Sequence, residues 1–339
     1  VPANYMSRPT RISYGFMAGL LVIVAVMGLA PPLLTVLFSF FLLHVFSFKG
    51  RSKSLAVALF LVAVAAVCLG VTIFMARTFV AAPEIGERLI PKLAEYARGW
   101  NVELPFKDLH GLMSLVRIEA LERFGVLGLA GTTLIRQAAF VVIGMVVAIS
   151  LFDNATIVID RDKHTLKNNL YSITADEIGR RFELFYKSFH TVMGAQIIIS
   201  AINTVLTGIF LAAVGYPYWQ LLIVVTFLCG LLPILGNILS NTLIVCVGLT
   251  VDIQHALGAL AFLVVIHKFE YFLNSKIIGK RIQNPMWMTL LGLILGERLM
   301  GVPGMILAPV ILHYIKMETS RLAVDHKAEE SASVEPPVG

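Results

Sequence analysis

Long uncharged runs alternate with short charged segments along this 339-residue chain. Residues 12–48 form an uncharged run of 37 positions, and residues 191–251 form one of 61. A helix needs about 20 apolar residues to cross the hydrocarbon core of a bilayer, so the longer run is far too long for a single crossing. The pattern predicts an all-α polytopic membrane protein with about six full transmembrane helices.

The first 82 residues, 1–82, predict three transmembrane spans. Pro31 and Pro32 divide the run 12–48 into two spans, because proline stops a helix and restricts the residue before it. The third span is the uncharged segment 55–76. Arginines and lysines flank both ends of the first pair, which places the amino terminus in the cytoplasm.

The segment 83–125 is charged and predicts an external helical insert. Pro91 and Pro105 are expected to interrupt its helices. Apolar residues recur there at helical spacing, at Leu109, Leu112, Met113 and Val116. The fourth span, residues 126–152, contains a single charged residue and returns the chain to the cytoplasm.

Two polar segments are predicted to be cytoplasmic, residues 153–189 and residues 317–339. In the first, Thr174 and Glu177 have the spacing of a capping box, which predicts that a helix begins there. An aromatic stripe follows, at Phe182, Phe185, Tyr186 and Phe189. This amphipathic helix either lies in the membrane interface or packs, solvated, on its own protein. The second segment predicts a disordered tail.

The order of charged segments predicts that residues 219–251 form a hairpin rather than a span. A span at 191–213 that starts in the cytoplasm places the turn at 215–218 outside, and the basic cluster at 276–281 belongs inside. Since one more helix leads to that cluster, residues 219–251 begin and end outside. They therefore enter the membrane, turn at 233–236 and leave on the same side. Kinked helices that cross fully, with one added span, are the alternative.

The segment 285–316 predicts a second hairpin that enters from the opposite face. Its basic flanks place both ends in the cytoplasm, and its break lies at 301–304. Residues 191–251 and 255–316 then form two inverted repeats, each with a full span followed by a re-entrant helical hairpin. Paired interruptions of this kind indicate the binding site of a secondary transporter, so residues 190–316 are the predicted transport core.

Composition agrees with a membrane protein and excludes several other classes. The chain is 58% hydrophobic and 14% charged, more apolar than a soluble protein of this size can bury. Its net charge of +6 comes from basic residues beside the apolar runs, so no nucleic-acid partner is expected. The sequence contains no nucleotide-binding loop or hydrolase motif, and its cysteines lack metal-ligand spacing. We therefore expect no enzymatic activity, no cofactor and no metal.

Polar side chains inside the apolar helices mark candidate sites, because their burial in hydrocarbon is costly. Most are expected to join helices by hydrogen bonds, but Asn237 adjoins backbone groups freed by the break and could hold a polar ligand or ion. Glu270 is either a coupling carboxylate or a member of an interfacial pair, and Glu297 with Arg298 is either a structural pair or a gate. The candidate pathway residues are Asn203, Thr207, Pro233, Gly236, Asn237, Asn241, Glu270, Asn274, Gly301, Pro303 and Gly304.

Four motifs of the carboxy-terminal third are similar to those of a known family. They are Leu232-Pro233-Ile-Leu-Gly236, Lys268-Phe-Glu270-Tyr-Phe-Leu-Asn274-Ser-Lys276-Ile-Ile-Gly279-Lys280, Pro285 followed by Leu-Leu-Gly292-Leu-Ile-Leu-Gly296, and Gly301-Val-Pro303-Gly304-Met-Ile-Leu-Ala308-Pro309. In these motifs the chain resembles the AI-2E transporter family, which includes autoinducer-2 exporters and PerM-like permeases. The family usually has a second proline where this chain has Asn237. The amino-terminal half resembles the family only in layout.

The resemblance implies a multi-pass permease of the bacterial inner membrane that forms a homo-oligomer, of which a pentamer is one expected form. Some members have been linked to autoinducer-2 export and some to sodium/proton antiport. We expect a secondary transporter that exports a small polar, autoinducer-2-like solute by alternating access, with the solute bound between the breaks at Pro233 and Pro303. A sodium/proton antiporter and a scaffold that transports nothing are the alternatives. The expected partners are the lipid bilayer and a small polar solute or cation, and both termini are expected in the cytoplasm.

Overall fold

A computed structural model describes residues 7–47, 52–99, 111, 127–154, 169–233, 235–273 and 285–321. Within these ranges the chain forms ten α-helices and no β-strand, as the predicted all-α class requires. In chain order they are α1 (Arg8–Val26), α2 (Ala30–Phe46), α3 (Lys53–Gly99), α4 (Leu127–Asp153), α5 (Leu170–Val214), α6 (Trp219–Gly230), α7 (Leu235–Val251), α8 (Ile253–Leu273), α9 (Met286–Met300) and α10 (Val302–Thr319).

Several of these helices have the length and composition of membrane spans. Four qualify among the described residues, namely α1, α3, α5 and the part of α4 at Ile135–Asp153. Large apolar side chains such as Val62, Val67 and Phe79 of α3 are exposed, as lipid-facing residues are. The helix α6 has only 12 residues, about 18 Å, which is too short for a hydrocarbon core of roughly 30 Å.

The first uncharged run forms two helices as predicted, but its two prolines do not form the break. The turn lies before them and is centred on Gly28, whose φ is +66°. The amide of Leu29 donates to the carbonyl of Val24 at 2.9 Å, and that of Gly28 to Ala25 at 3.4 Å, which is a Schellman motif. Pro31 and Pro32 instead lie in the first turn of α2, where a missing amide costs no hydrogen bond.

The third helix is much longer than its predicted span. α3 continues through Pro83 and Pro91 for 47 residues in total. The predicted interruption at Pro91 is therefore wrong, whereas the predicted exit of the third span from the membrane near residue 76 stays a prediction. The side chains of Ile90 and Ala94 are buried, so tertiary contacts hold this part of the helix despite the hydrogen bonds that its prolines remove. The remaining predicted insert residues, Pro105 among them, lie outside the described residues.

A single helix, α5, unites the predicted cytoplasmic segment and the predicted span after it. It begins at Leu170, where the Asn169 side chain accepts a hydrogen bond from the Ser172 amide at 2.8 Å. The prediction that a helix begins at the capping box of Thr174 is therefore wrong, because that box lies inside a helix already formed. Phe185 and Phe189 are buried, which favours packing on the protein over an interfacial position.

The chain divides into two compact units. The first unit consists of Val1–Leu37, Asp153–Val192 and Asn284–Gly339, and the second of Phe38–Phe152 and Met193–Gln283. In this division residues 255–283 of the predicted second repeat belong to the second unit, and residues 284–316 belong to the first. The apolar core of the second unit comes from α5 to α8 and the loop before α6, with Leu211, Tyr216, Leu222, Ile244, Val247, Ala259, Leu263 and Ile266.

Candidate functional site at an interrupted hairpin

A stripe of buried polar side chains runs along α5 in the second unit. Its members are Ser200, Asn203, Thr204 and Thr207, and the spacing of three and four residues places them on one face of the helix. Ser200 and Thr207 are only 1% and 2% exposed. Asn203 and Thr207 were candidate pathway residues by sequence, so the structure places both in the interior.

At the amino-terminal end of the stripe, two side chains of α5 form hydrogen bonds with the carboxy-terminal end of α6. The Gln196 side-chain amide donates to the Gly230 carbonyl at 2.6 Å, and the Ser200 hydroxyl donates to the Phe227 carbonyl at 2.8 Å. The last carbonyls of a helix lack partners within it, so α5 supplies donors for two of them. Gly230 permits this approach, because a Cβ there would lie 2.3 Å from the Ser200 Oγ.

The predicted break at 233–236 is a tight turn between α6 and α7. The Leu232 amide donates to the Cys229 carbonyl at 2.8 Å, and the Gly236 amide donates to the Leu232 carbonyl at 3.2 Å. Pro233 lies within the turn, and Gly236 lies in the first turn of α7. A Cβ on Gly236 would lie 1.6 Å from the Cys229 carbonyl oxygen, so only glycine fits. The two arms also meet farther along, because Leu222 of α6 belongs to one cluster with Ile244 and Val247 of α7.

Farther along the stripe, two buried polar atoms lack a partner among the described residues. They are the Oδ1 of Asn203 and the Oγ1 of Thr204. A buried polar group left without a hydrogen bond costs about 1–3 kcal/mol. Such groups therefore mark places where water or a solute binds, or where the group has a function. The stripe at Asn203 and Thr204 is therefore the candidate binding site of this unit.

The other predicted residues of the second unit lie in different surroundings. Asn237 is half-buried in the first turn of α7, and its carbonyl accepts a hydrogen bond from the Ser240 hydroxyl at 3.3 Å. Asn241 lies farther along α7 and lines an open groove with residues of α8. Glu270 lies in α8, but its side chain is outside the described part of the chain, and so is the whole of Asn274.

The second predicted hairpin, α9 and α10 of the first unit, is interrupted at Gly301 alone. This residue has φ +64° and ψ −150°, a conformation that is essentially restricted to glycine. The arms touch through two further glycines, because a Cβ on Gly304 would lie 1.9 Å from the Gly296 carbonyl oxygen. Pro303 and Gly304 belong to the first turn of α10, where proline is favoured.

Glu297 and Arg298 lie in the last turn of α9, immediately before the second break. Both are exposed. Among the residues that the structure describes, neither takes part in an ion pair. The structure thus shows no pairing partner for them within that set.

A buried polar cluster in the first unit was not predicted from the sequence. Glu318, only 3% exposed, forms an ion pair with Arg181 of α5 and accepts a hydrogen bond from the Tyr14 hydroxyl at 3.0 Å. The Arg181 guanidinium also lies 4.1 Å from the centre of the Tyr14 ring. Since Glu318 belongs to α10, the predicted start of the disordered tail at residue 317 is wrong. No local pattern could have joined residues so far apart in sequence.

The long helix α3 contacts both ends of the first hairpin, which the sequence also did not reveal. The Lys92 ammonium donates to the carbonyls of Thr250 and Val251 at the end of α7, each at 2.7 Å. At the start of α6, the Tyr218 hydroxyl bonds to the Glu84 carboxylate, which raises the pKa of Tyr218 above its ordinary value. The base of the hairpin is therefore anchored to α3.

These features define a class of protein. Long apolar helices, a hairpin with one arm too short to cross a bilayer and a buried polar stripe that packs along this arm are features of polytopic helical membrane proteins of the transporter type. The family profile described as AI-2E family transporter matches residues 13–321, so the chain belongs to the AI-2E transporter family.

A curated relative agrees with this assignment. The chain is 28% identical over 151 residues to a Bacillus subtilis (strain 168) protein named "Putative transport protein YdbI". The match covers 44% of this chain and 43% of the relative, so it spans less than half of either protein.

Proposed function

We propose that this protein is a secondary transporter that exports a small polar, autoinducer-2-like solute across the bacterial inner membrane by alternating access. Family membership supports a role in membrane transport. The observation that carries the proposal is a pair of buried atoms, Asn203 Oδ1 and Thr204 Oγ1, that have no hydrogen-bond partner within the described part of the chain.

The chemistry of the stripe favours a neutral, hydroxyl-bearing solute. Its four buried members offer one carboxamide and three hydroxyl groups, and none of them carries a charge. A carboxamide and a hydroxyl can each donate and accept, so they match the hydroxyl and carbonyl groups of such a solute. An ion would meet no compensating charge on this face, and burial of an uncompensated charge is costly.

The α6 arm of the hairpin supplies a movable wall for this site. The α6 end is held to α5 by the side-chain bonds of Gln196 and Ser200 to carbonyls, which a solute or water can replace. The base is anchored to α3 through Lys92. A hairpin with a fixed base and an exchangeable tip can open and close the stripe to one side of the membrane, which is the movement that alternating access requires.

Transport into proteoliposomes tests the proposal. We expect Asn203→Leu and Thr204→Val to reduce flux of a labelled autoinducer-2-like solute at least tenfold, the change that about 1.4 kcal/mol gives. Thr72→Val is the matched control, because Thr72 is exposed and bonds to the Cys68 carbonyl of its own helix. The variants should keep or raise the unfolding temperature, since they remove buried atoms without partners. Unchanged flux in both variants would contradict the site.

Sodium/proton antiport is the second candidate, and the position of Glu270 supports it. This residue lies near the end of the apolar helix α8, and carboxylates in such helices commonly serve proton or cation pathways. Sodium-driven proton movement that Glu270→Gln abolishes would favour antiport. Proton movement unaffected by this substitution would exclude the role of Glu270. Absence of any flux with either substrate class would favour the scaffold alternative.

A further inference from the structure

An open groove between α7 and α8 is not used by the proposed transport site. It has a volume of about 520 Å³, within the range of roughly 300–1,000 Å³ of small-ligand sites. Both helices belong to the second unit and run antiparallel, because only Asp252 separates them. The groove is open along its length, with Leu260 52% and Val264 56% exposed on its α8 side.

The two ends of the groove differ in polarity. Asn241, Thr242, His267 and Lys268 line it at the end distant from Asp252, whereas apolar side chains such as Leu260 and Val264 line the rest. The Lys268 ammonium forms no ion pair within the described part of the chain. An apolar trough that ends in a cation and several hydrogen-bonding groups is complementary to an anionic amphiphile.

We propose that this groove binds one anionic phospholipid, with an acyl chain along Leu260 and Val264 and the headgroup phosphate at Lys268. The surrounding bilayer supplies this ligand at high local concentration. The acyl chain of the bound lipid covers the apolar surface that the groove exposes. Lysine near the end of an apolar helix extends its charge toward the headgroups, where anionic lipids attract it. His267 and Asn241 are placed to donate to the phosphate or glycerol oxygens.

Lipid-dependent unfolding of the purified full-length protein tests the proposal. We expect phosphatidylglycerol added to neutral detergent micelles to raise the unfolding temperature more than phosphatidylcholine of the same chain length. Lys268→Gln should weaken the apparent affinity for phosphatidylglycerol about fivefold, the effect of one lysine near an anionic surface. Lys268→Arg should retain it. Lys187→Gln is the control, because Lys187 is an exposed lysine on α5 that pairs with Glu183.

A second variant separates the acyl chain from the phosphate. Val264→Trp fills the exposed apolar part of the groove and leaves Lys268 unchanged, so it should reduce phosphatidylglycerol binding. Inorganic phosphate alone should stabilise neither the native protein nor any variant. Equal effects of the two lipids, an unchanged affinity in Lys268→Gln, or stabilisation by inorganic phosphate would each overturn the proposal. Disulfide formation between copies of the chain through Val264→Cys would overturn it as well, because it would show that a second copy covers the groove.

Discussion

At the scale of single residues, glycine decides where the chain can fold back on itself. Gly236 and Gly304 each lie where a Cβ would overlap a carbonyl oxygen of the opposing segment. The sequence predicted both breaks, because proline and glycine interrupt helices through their own backbone chemistry. It could not predict that Asn203 Oδ1 and Thr204 Oγ1 meet no partner among the residues that the structure describes, since that depends on which groups of other helices reach them.

Substitution of Gly236 by alanine tests the close approach at the first break. We expect Gly236→Ala to lower the free energy of unfolding by about 1–3 kcal/mol, because the added methyl group overlaps the Cys229 carbonyl. Denaturant unfolding in detergent measures the change. Gly258→Ala is the matched control, since a Cβ there meets no atom within 4 Å. A Gly236→Ala protein as stable as this control would show that the turn is not packed as described.

Acid titration tests the residue that caps α8. The Asp252 carboxylate accepts a hydrogen bond from the His255 amide at 2.7 Å, which lowers the pKa of Asp252 below its ordinary value. A lowered pKa stabilises the fold above the unfolded value of about 3.9, and this contribution is lost as pH falls through the folded value. We expect the unfolding temperature to fall more steeply below about pH 4 in the native protein than in Asp252→Asn, whose amide does not titrate. Parallel profiles would contradict the cap.

At the scale of helices, the sequence predicted which segments are helical better than where helices end. The transitions from apolar to charged residues near positions 76 and 190 suggested boundaries, yet α3 and α5 continue through both. Solvent and membrane exposure change along a helix without any change in its backbone hydrogen bonds. Prolines were equally ambiguous as boundary signals. A proline in the first turn of a helix does not end that helix, and Pro83 and Pro91 lie inside a helix that tertiary contacts hold.

Removal of the Lys92 ammonium tests the anchor between α3 and the first hairpin. We expect Lys92→Met to lower the free energy of local opening at the end of α7 by about 1 kcal/mol, because two carbonyls lose a charged donor. Hydrogen exchange of the amides near Thr250 measures it. Arg98→Met is the control, since Arg98 bonds to the Ala94 carbonyl of its own helix. Equal exchange in the two variants would contradict the anchor.

At the scale of the whole molecule, each unit gathers segments that lie far apart in the chain. Arg181 and Glu318 are 137 positions apart, and their ion pair joins α5 to α10 within the first unit. The hydrophobic pattern and the order of charged segments predicted an all-α membrane protein, its two helical hairpins and the polar candidate residues of α5. They could not predict which distant segments pack together, because periodicity contains no information about partners.

A double-mutant cycle tests this long-range pair. We expect Arg181→Met to cost about 3–5 kcal/mol of unfolding free energy, because it leaves the buried Glu318 carboxylate without its cation. Glu318→Gln should cost less, because Arg181 keeps its ion pair with Glu177. The double variant should recover part of that loss. The exposed pair of Glu183 and Lys187 is the control and should contribute about 0–1 kcal/mol. Additive losses at Arg181 and Glu318 would contradict the coupling.

The central claim is that α6 and α7 form a hairpin that enters and leaves the membrane on one face. Cysteine labelling in intact cells tests it with Gln220→Cys at the start of α6 and Gln254→Cys just after α7, both exposed, in a chain whose three cysteines are replaced by serine. A membrane-impermeant maleimide added from outside should label both positions. Labelling of one position from outside and the other only after permeabilisation would show a span that crosses the membrane, and would contradict the hairpin.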